Sequence, residues 1–213
     1  MPRPVNPDRR REVVDAAIDQ LAATGIGHFS LRTVAEGMGQ STRVLTHHFA
    51  DKQALVTAVL ERLDERQHQA LLAAPAWRDP AVPVSVIVKT AWERTLGPRE
   101  LAMTRLIREI EGLAAAGRLV LPGPGFIRGR AEFVASCFTL RGLSEDDALT
   151  TATLLNSAFS SLQNDYLITG DHDRSVAALD ELCAWVDARV RQHRPADSPR
   201  ARADRPTTPH EAR

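Results

Sequence analysis

The stretch Ser30-Leu-Arg-Thr-Val-Ala-Glu-Gly-Met-Gly-Gln-Ser-Thr-Arg-Val-Leu-Thr-His-His-Phe49 decides the fold. Leu31, Val34, Ala35 and Met38 recur at i, i+3, i+4 and i+7, on one face of a short helix with Ser30 at its N-cap. Gly39 ends that helix. Ser41 or Thr42 then caps a second one of about two turns, closing at His48-Phe49. Two short helices joined by a glycine-containing turn fit a helix-turn-helix, whose second helix enters the DNA major groove. Val34, Ala35 and Met38, with Leu45 and Phe49, are expected to fix the pair to each other and to the preceding helix. Thr42, Arg43, Val44, Thr46 and His47 are left facing outward, with hydroxyl, guanidinium and imidazole donors suited to base edges and phosphates.

On the N-terminal side, Asp8 to Thr24 carries Val14, Ala17, Ile18, Leu21 and Ala22 as a helical stripe that Gly25 stops. On the C-terminal side, Asp51 caps a longer helix with Val56, Val59, Leu60 and Leu63, running on toward Leu72. Pro75, Pro80 and Pro83 mark a break. Five helical segments follow, near Val84–Leu96, Pro98–Ala116, Phe126–Leu140, Glu145–Ile168 and Arg174–Arg194, with a loop at Pro122-Gly-Pro-Gly125. No stretch alternates as a strand would. The expected fold is all-α with about nine helices: a three-helix N-terminal head joined by a fourth helix to a helical body. The last residues, 195–213, hold Pro, Arg, Asp, Thr and Ala with little to bury, and are expected to be a disordered tail.

Composition agrees with a globular helical chain: of 213 residues, 43% are hydrophobic, 25% charged and only 5% aromatic. A formal net charge of zero is compatible with nucleic-acid binding, because a small basic face can sit on an acidic body. No apolar run is long enough for a membrane span and no signal-peptide core follows Met1, so a cytoplasmic protein without membrane contact is expected. Cys137 and Cys183 lie within apolar helical patterns and read as buried thiols of a reducing compartment. Only two basic residues are Lys, Lys52 and Lys89. Lys52 stands in the first turn of the fourth helix, where the macrodipole disfavours a cation and a docked phosphate would reverse that sign. A solvated lysine balanced by Asp51 is the alternative.

From Thr24 to Leu55 the chain resembles the DNA-binding head of the tetracycline-repressor (TetR) family. The matching residues are Gly25, Ser30, Leu31, Val34, Ala35, Gly39, Ser41, Leu45, His48, Phe49, Lys52 and Leu55, and the spacing His48-Phe49-x-x-Lys52-x-x-Leu55 is the specific part. The resemblance covers roughly residues 7–66. It implies DNA contacts from Ser30, Arg32, Thr33, Ser41, Thr42, Arg43, Val44, Thr46, His47, His48 and Lys52. Two positions depart from the family pattern. Gln40 replaces the usual apolar turn residue, and Thr46 replaces a phosphate-contacting Tyr. Weaker backbone anchoring, compensated by Arg43 and His47, or an unusual operator preference is therefore expected. Arg3, Arg9, Arg10 and Arg11 form a basic N-terminal arm that either reaches flanking DNA or is simply solvated.

The resemblance further implies a homodimer on a pseudo-palindromic double-stranded operator, acting as a repressor that a small-molecule effector releases. Residues 67–194 would then be an effector-binding and dimerisation domain. Leu155, Phe159, Leu162, Leu179, Leu182 and Val186 are its dimer-interface candidates, with packing inside one subunit as the alternative. Trp92, Arg105, Phe133, Phe138, Asn156, Phe159 and Gln163 are candidate effector contacts, each with ordinary packing as its alternative. The scarcity of acids there, Glu109 and Glu111 apart, favours a neutral or anionic hydrophobic effector. No cofactor, metal or catalytic residue is expected: His47 and His48 are about 100° apart on a helix, and there is no His-x-x-x-His or Cys-x-x-Cys pair. An interaction protein of the same fold that has lost DNA binding is the nearest rival, and an enzyme the more distant one.

Overall fold

The computed structural model describes residues 7–27, 30–121 and 125–193. All regular structure among the described residues is α-helical. The helices are α1 (Pro7–Thr24), α2 (Leu31–Gly37), α3 (Thr42–His48), α4 (Lys52–Leu72), α5 (Pro75–Arg78), α6 (Val84–Thr95), α7 (Pro98–Ala115), α8 (Gly125–Thr139), α9 (Glu145–Thr169) and α10 (His172–His193). The one helix beyond the sequence pattern is α5, within the proline-rich break. Pro75 opens it at a position where a missing N–H costs nothing, and Trp77 buries itself in the body. Arg3, residues 122–124 of the expected loop and the tail 195–213 lie outside the described residues. No helix among the described residues is long and apolar enough to cross a membrane.

Local chemistry sets the helix-turn-helix. Ser30 closes a capping box on α2: its Oγ accepts the Thr33 N–H at 3.1 Å, and Thr33 Oγ1 accepts the Ser30 N–H at 2.8 Å. Gly39 then takes φ +65°, a left-handed turn that other residues rarely adopt, and Gln40 N–H donates back to the Ala35 carbonyl at 2.8 Å. Asp51 accepts the Ala54 N–H at 2.8 Å and so starts α4.

Two apolar cores result. The first joins Val13, Ile18 and Leu21 of α1, Val34 and Ala35 of α2, Leu45 of α3, Phe49, and Leu55 to Leu63 of α4. Leu106 and Ile110 of α7 complete it, so a body helix is part of the head's core. The second core packs Trp77, Ile87, Val88 and Trp92 against Cys137, Phe138, Leu143, Ala152, Leu155, Leu179, Cys183 and Val186. Helix α4 runs unbroken between them, contributing Leu63 to the first and Leu71 to the edge of the second. Both cysteines are buried and unpaired.

Arg141 stitches the second core without any carboxylate. It is 4% exposed, just beyond the end of α8. Its Nη2 donates to the carbonyls of Ala76 and Asp79, both at 2.8 Å, and to Val82 at 3.1 Å, while Nη1 donates to Cys137 O at 2.9 Å. A longer bond from Nη1 reaches Trp77 O at 3.4 Å. One guanidinium therefore ties α5 and the segment after it onto α8.

The joint between head and body is polar as well as apolar. Glu109 Oε2 on α7 accepts the Ile26 N–H at 2.8 Å, beside Gly25, whose φ is +79°. A Cβ on Gly25 would lie 3.1 Å from that same oxygen, so the loop after α1 is shaped around the Glu109 carboxylate. Arg99 of α7 pairs with Asp19 of α1 at 3.0 Å, and Gln53 of α4 donates to the Val120 carbonyl. Within the head, Asp15 of α1 takes Arg62 at 2.7 Å and Arg66 at 2.8 Å. Glu109→Ala leaves a partly buried amide without its charged acceptor, and is expected to cost about 1–3 kcal/mol. Urea melts of the two proteins measure this directly; a change within a few tenths of a kcal/mol would mean the joint does not depend on Glu109.

Candidate nucleic-acid interface and internal cavity

Helix α3 is anchored on one side and open on the other. Leu45 and the flanking Phe49 are fully buried, and Arg10 of α1 lies over the Phe49 ring at 5.2 Å from its centroid. Thr42, Arg43, Thr46 and His47 are exposed, and so are Ser30, Arg32, Thr33, Ser41 and Lys52 around them. Arg32 is engaged along its own helix with Glu36 at 2.8 Å. The Thr46 hydroxyl donates to the Arg43 carbonyl at 3.3 Å.

One of the outward expectations, Val44, needs correction. Val44 is half-buried and packs against the head core. His48 is half-buried too, edge-on to His47 with ring centroids 5.0 Å apart and tilted on Phe49. Its Nδ1 is buried without a hydrogen-bond partner among the described residues. Burial, helped by His47, Arg10 and Arg9, pushes its pKa below the ordinary histidine value, so the ring is neutral at neutral pH. The expected basic arm is partly helix instead. Arg9, Arg10 and Arg11 sit on α1, where Arg9 pairs with Glu12 at 2.8 Å and Arg11 with Asp8 at 3.9 Å.

A half-open cavity of about 1190 Å³ lies between α4, α6, α7, α8 and α9. Of the candidate effector contacts, Phe133, Asn156, Phe159 and Gln163 line it. Trp92 and Phe138 are buried in the second core, and Arg105 is exposed on α7. The reason is the pitch of α7: Thr104, Leu106 and Ile110 are its buried residues, and Arg105 falls off that side. Arg108 and Arg130, which the pattern did not single out, are the arginines that reach the cavity's interior. A single sequence carries little signal for them, since lining is set by where five helices meet.

The polar part of the cavity is a compact charge cluster. Arg130 donates through Nε to Asp64 at 2.7 Å and through Nη1 to Glu111 at 2.6 Å. Glu111 also meets Arg108 Nη1 at 3.1 Å with its other oxygen. Burial raises the Asp64 pKa, although Arg130 opposes it. His68 stacks on Phe133 at 3.9 Å between centroids, and Phe133 on Trp77 at 4.9 Å. Burial lowers the His68 pKa, leaving a neutral aromatic face.

The expected dimer residues are largely spent inside the chain. Leu155, Leu179 and Val186 are buried in the second core, while Phe159, Leu162 and Leu182 are half-buried against it. The strongest apolar rows of α9 and α10 face each other, α6 and α8, so the outward rows are different ones. Leu154 of α9 is 53% exposed and Trp185 of α10 37%, and Ala177, Ala178 and Ala184 are exposed on α10.

Helix-turn-helix head, bridging helix and cavity-bearing helical body together make an all-α architecture. Residues 13–59 match the family model described as bacterial regulatory proteins, tetR family. The regulator BetI of Klebsiella pneumoniae (strain 342) is 29% identical over 68 residues, which are 32% of this chain and 35% of BetI. The chain thus aligns with about a third of the curated relative's length. Over the whole fold it is similar to the multidrug binding protein EbrR. The imidazole complex of EbrR superposes with a TM-score of 0.66 at 24% identity, covering 87% of this chain and 94% of that one. Its ethidium complex gives a TM-score of 0.60, covering 84% and 98%. The head, residues 13–59, thus matches the tetR family model, and the whole chain shares its fold with EbrR.

Proposed function

We propose that this chain is a sequence-specific DNA-binding transcriptional regulator, a repressor that acts as a homodimer and leaves its operator when a small molecule occupies the body cavity. The observation that carries the reading is α3, held by Leu45 and Phe49 while Thr42, Arg43, Thr46 and His47 stand free of the core. Those donors suit a groove floor and its phosphates. The exposed Leu154, Trp185 and the alanine row of α10 support an α9–α10 face shared by two subunits, whose heads must then match half-sites about 34–36 Å apart.

Helix α7 supplies a physical route for release. It lines the cavity with Arg108 and Glu111, and Glu109, next to Arg108 along the chain, holds the Ile26 amide of the head. A ligand that shifts α7 by a fraction of a turn therefore loads the head directly. Because the two recognition helices must stay in register, a few kcal/mol of preference for the shifted state is enough to release DNA.

Arg43→Ala is expected to weaken operator binding by about 1–3 kcal/mol, roughly tenfold to a hundredfold, with little change in thermal stability. Titration of a selected operator at fixed salt reads the effect. Unchanged affinity would remove Arg43 from the interface and leave Thr42 and His47 to carry base contacts.

A further inference from the structure

We propose that the cavity selects an apolar small molecule bearing a carboxylate, whose anionic end docks on the Arg108 guanidinium, which turns its unpaired Nε toward the ligand. The inference rests on the reading of this cavity as the effector site. Of the two cavity arginines held in the charge cluster, Arg108 and Arg130, Arg108 uses the less of its hydrogen-bonding capacity. Its side chain is only 19% exposed and its single ion pair among the described residues is Nη1 with Glu111 at 3.1 Å. That carboxylate is already engaged at 2.6 Å by Arg130, which Asp64 also holds. The Arg108 Nε is buried and has no hydrogen-bond partner among the described residues. A buried donor left in this condition is costly, and a guanidinium edge is shaped for the two oxygens of a carboxylate.

The electrostatics point the same way. Burial depresses the Arg108 pKa against the pull of Glu111, so its charge is short of counter-charge where it sits. Of the three acids that line the cavity, Glu111 and Asp64 are bound to Arg130, and Glu100 is exposed at the start of α7. Arg94, exposed at the rim, adds positive potential along the approach. The remaining walls are apolar: Met103, Ile107 and Phe159, with the His68–Phe133 stack presenting an uncharged aromatic surface. A hydrocarbon or aromatic body with one acidic end satisfies both halves of this lining.

The test compares matched probes on the full chain: 1-naphthylacetate against 1-naphthylacetamide, decanoate against decanamide, and ethidium as the cation. Dissociation constants are measured calorimetrically for the native protein, Arg108→Gln and Arg108→Lys, with circular dichroism to establish that each is folded. The acids are expected to bind at least about tenfold more tightly than their amides, the worth of one charge-assisted hydrogen bond. That preference should disappear in Arg108→Gln and survive in part in Arg108→Lys. Amides or ethidium binding as tightly as the acids, or an acid preference untouched by Arg108→Gln, would overturn the carboxylate assignment while leaving the cavity an effector site. Failure of every probe, anionic, neutral and cationic, to bind would overturn both.

Discussion

Replacing Arg141 with Met is expected to destabilise the protein by about 3–5 kcal/mol, and to lower its melting temperature by roughly 10 °C or more. The size follows from what the guanidinium holds. Five backbone carbonyls, those of Ala76, Trp77, Asp79, Val82 and Cys137, receive its N–H groups. Methionine fills much of the volume but satisfies none of them. The carbonyls of α5 and the following turn would have to find water, which opens the segment over the second core and exposes Trp77. Arg141→Lys keeps the charge but loses the planar fork, so it should recover only a minor part of the loss. Thermal and urea unfolding of the three proteins measures the effect. A cost below about 1 kcal/mol for Arg141→Met would mean that this segment is anchored by Trp77 alone.

The second large effect is expected at Phe49. Truncating a fully buried phenylalanine to alanine typically costs about 3–5 kcal/mol, transfer and cavity terms together. Here the ring also loses Arg10, a contact worth about 0.5–1 kcal/mol at such a site. Phe49 stands where α3 turns into α4, among Leu45, Leu55 and Ile18, so the damage falls on the head core. The second core shares none of these residues. Phe49→Ala should therefore abolish operator binding at temperatures where most helical circular dichroism persists. Full DNA affinity in that variant would show that α3 is positioned by something other than this packing.

Much of the head was legible because short-range rules govern it. Ser30, Gly39 and Asp51 act at their caps and turn through backbone geometry, and the stripe Val34, Ala35, Leu45, Phe49 has one way to bury itself. The misreadings were of faces rather than elements. Val44 sits at the edge of α3, where one helical step decides between groove and core. In the body the same apolar rows that suggested a dimer surface serve the chain's own core, because Leu155, Leu179 and Val186 meet α6 and α8 first. Arg108 and Arg141 left almost no trace: each is one arginine among many, and its role depends on groups distant along the chain. For Arg141 these include Ala76, 65 residues away. A weak signal existed for Arg141, since the carbonyls ending a helix need donors and it follows α8 directly.

The central claim, that the α3 face reads DNA as a paired unit, is tested most directly by selecting operators from random DNA and footprinting the purified chain on the winner across a salt series. The account predicts a protected pseudo-palindrome bound by two chains, with half-site centres about one helical turn apart and log K falling steeply with log [salt]. No protected site and a flat salt response from a folded protein would contradict it.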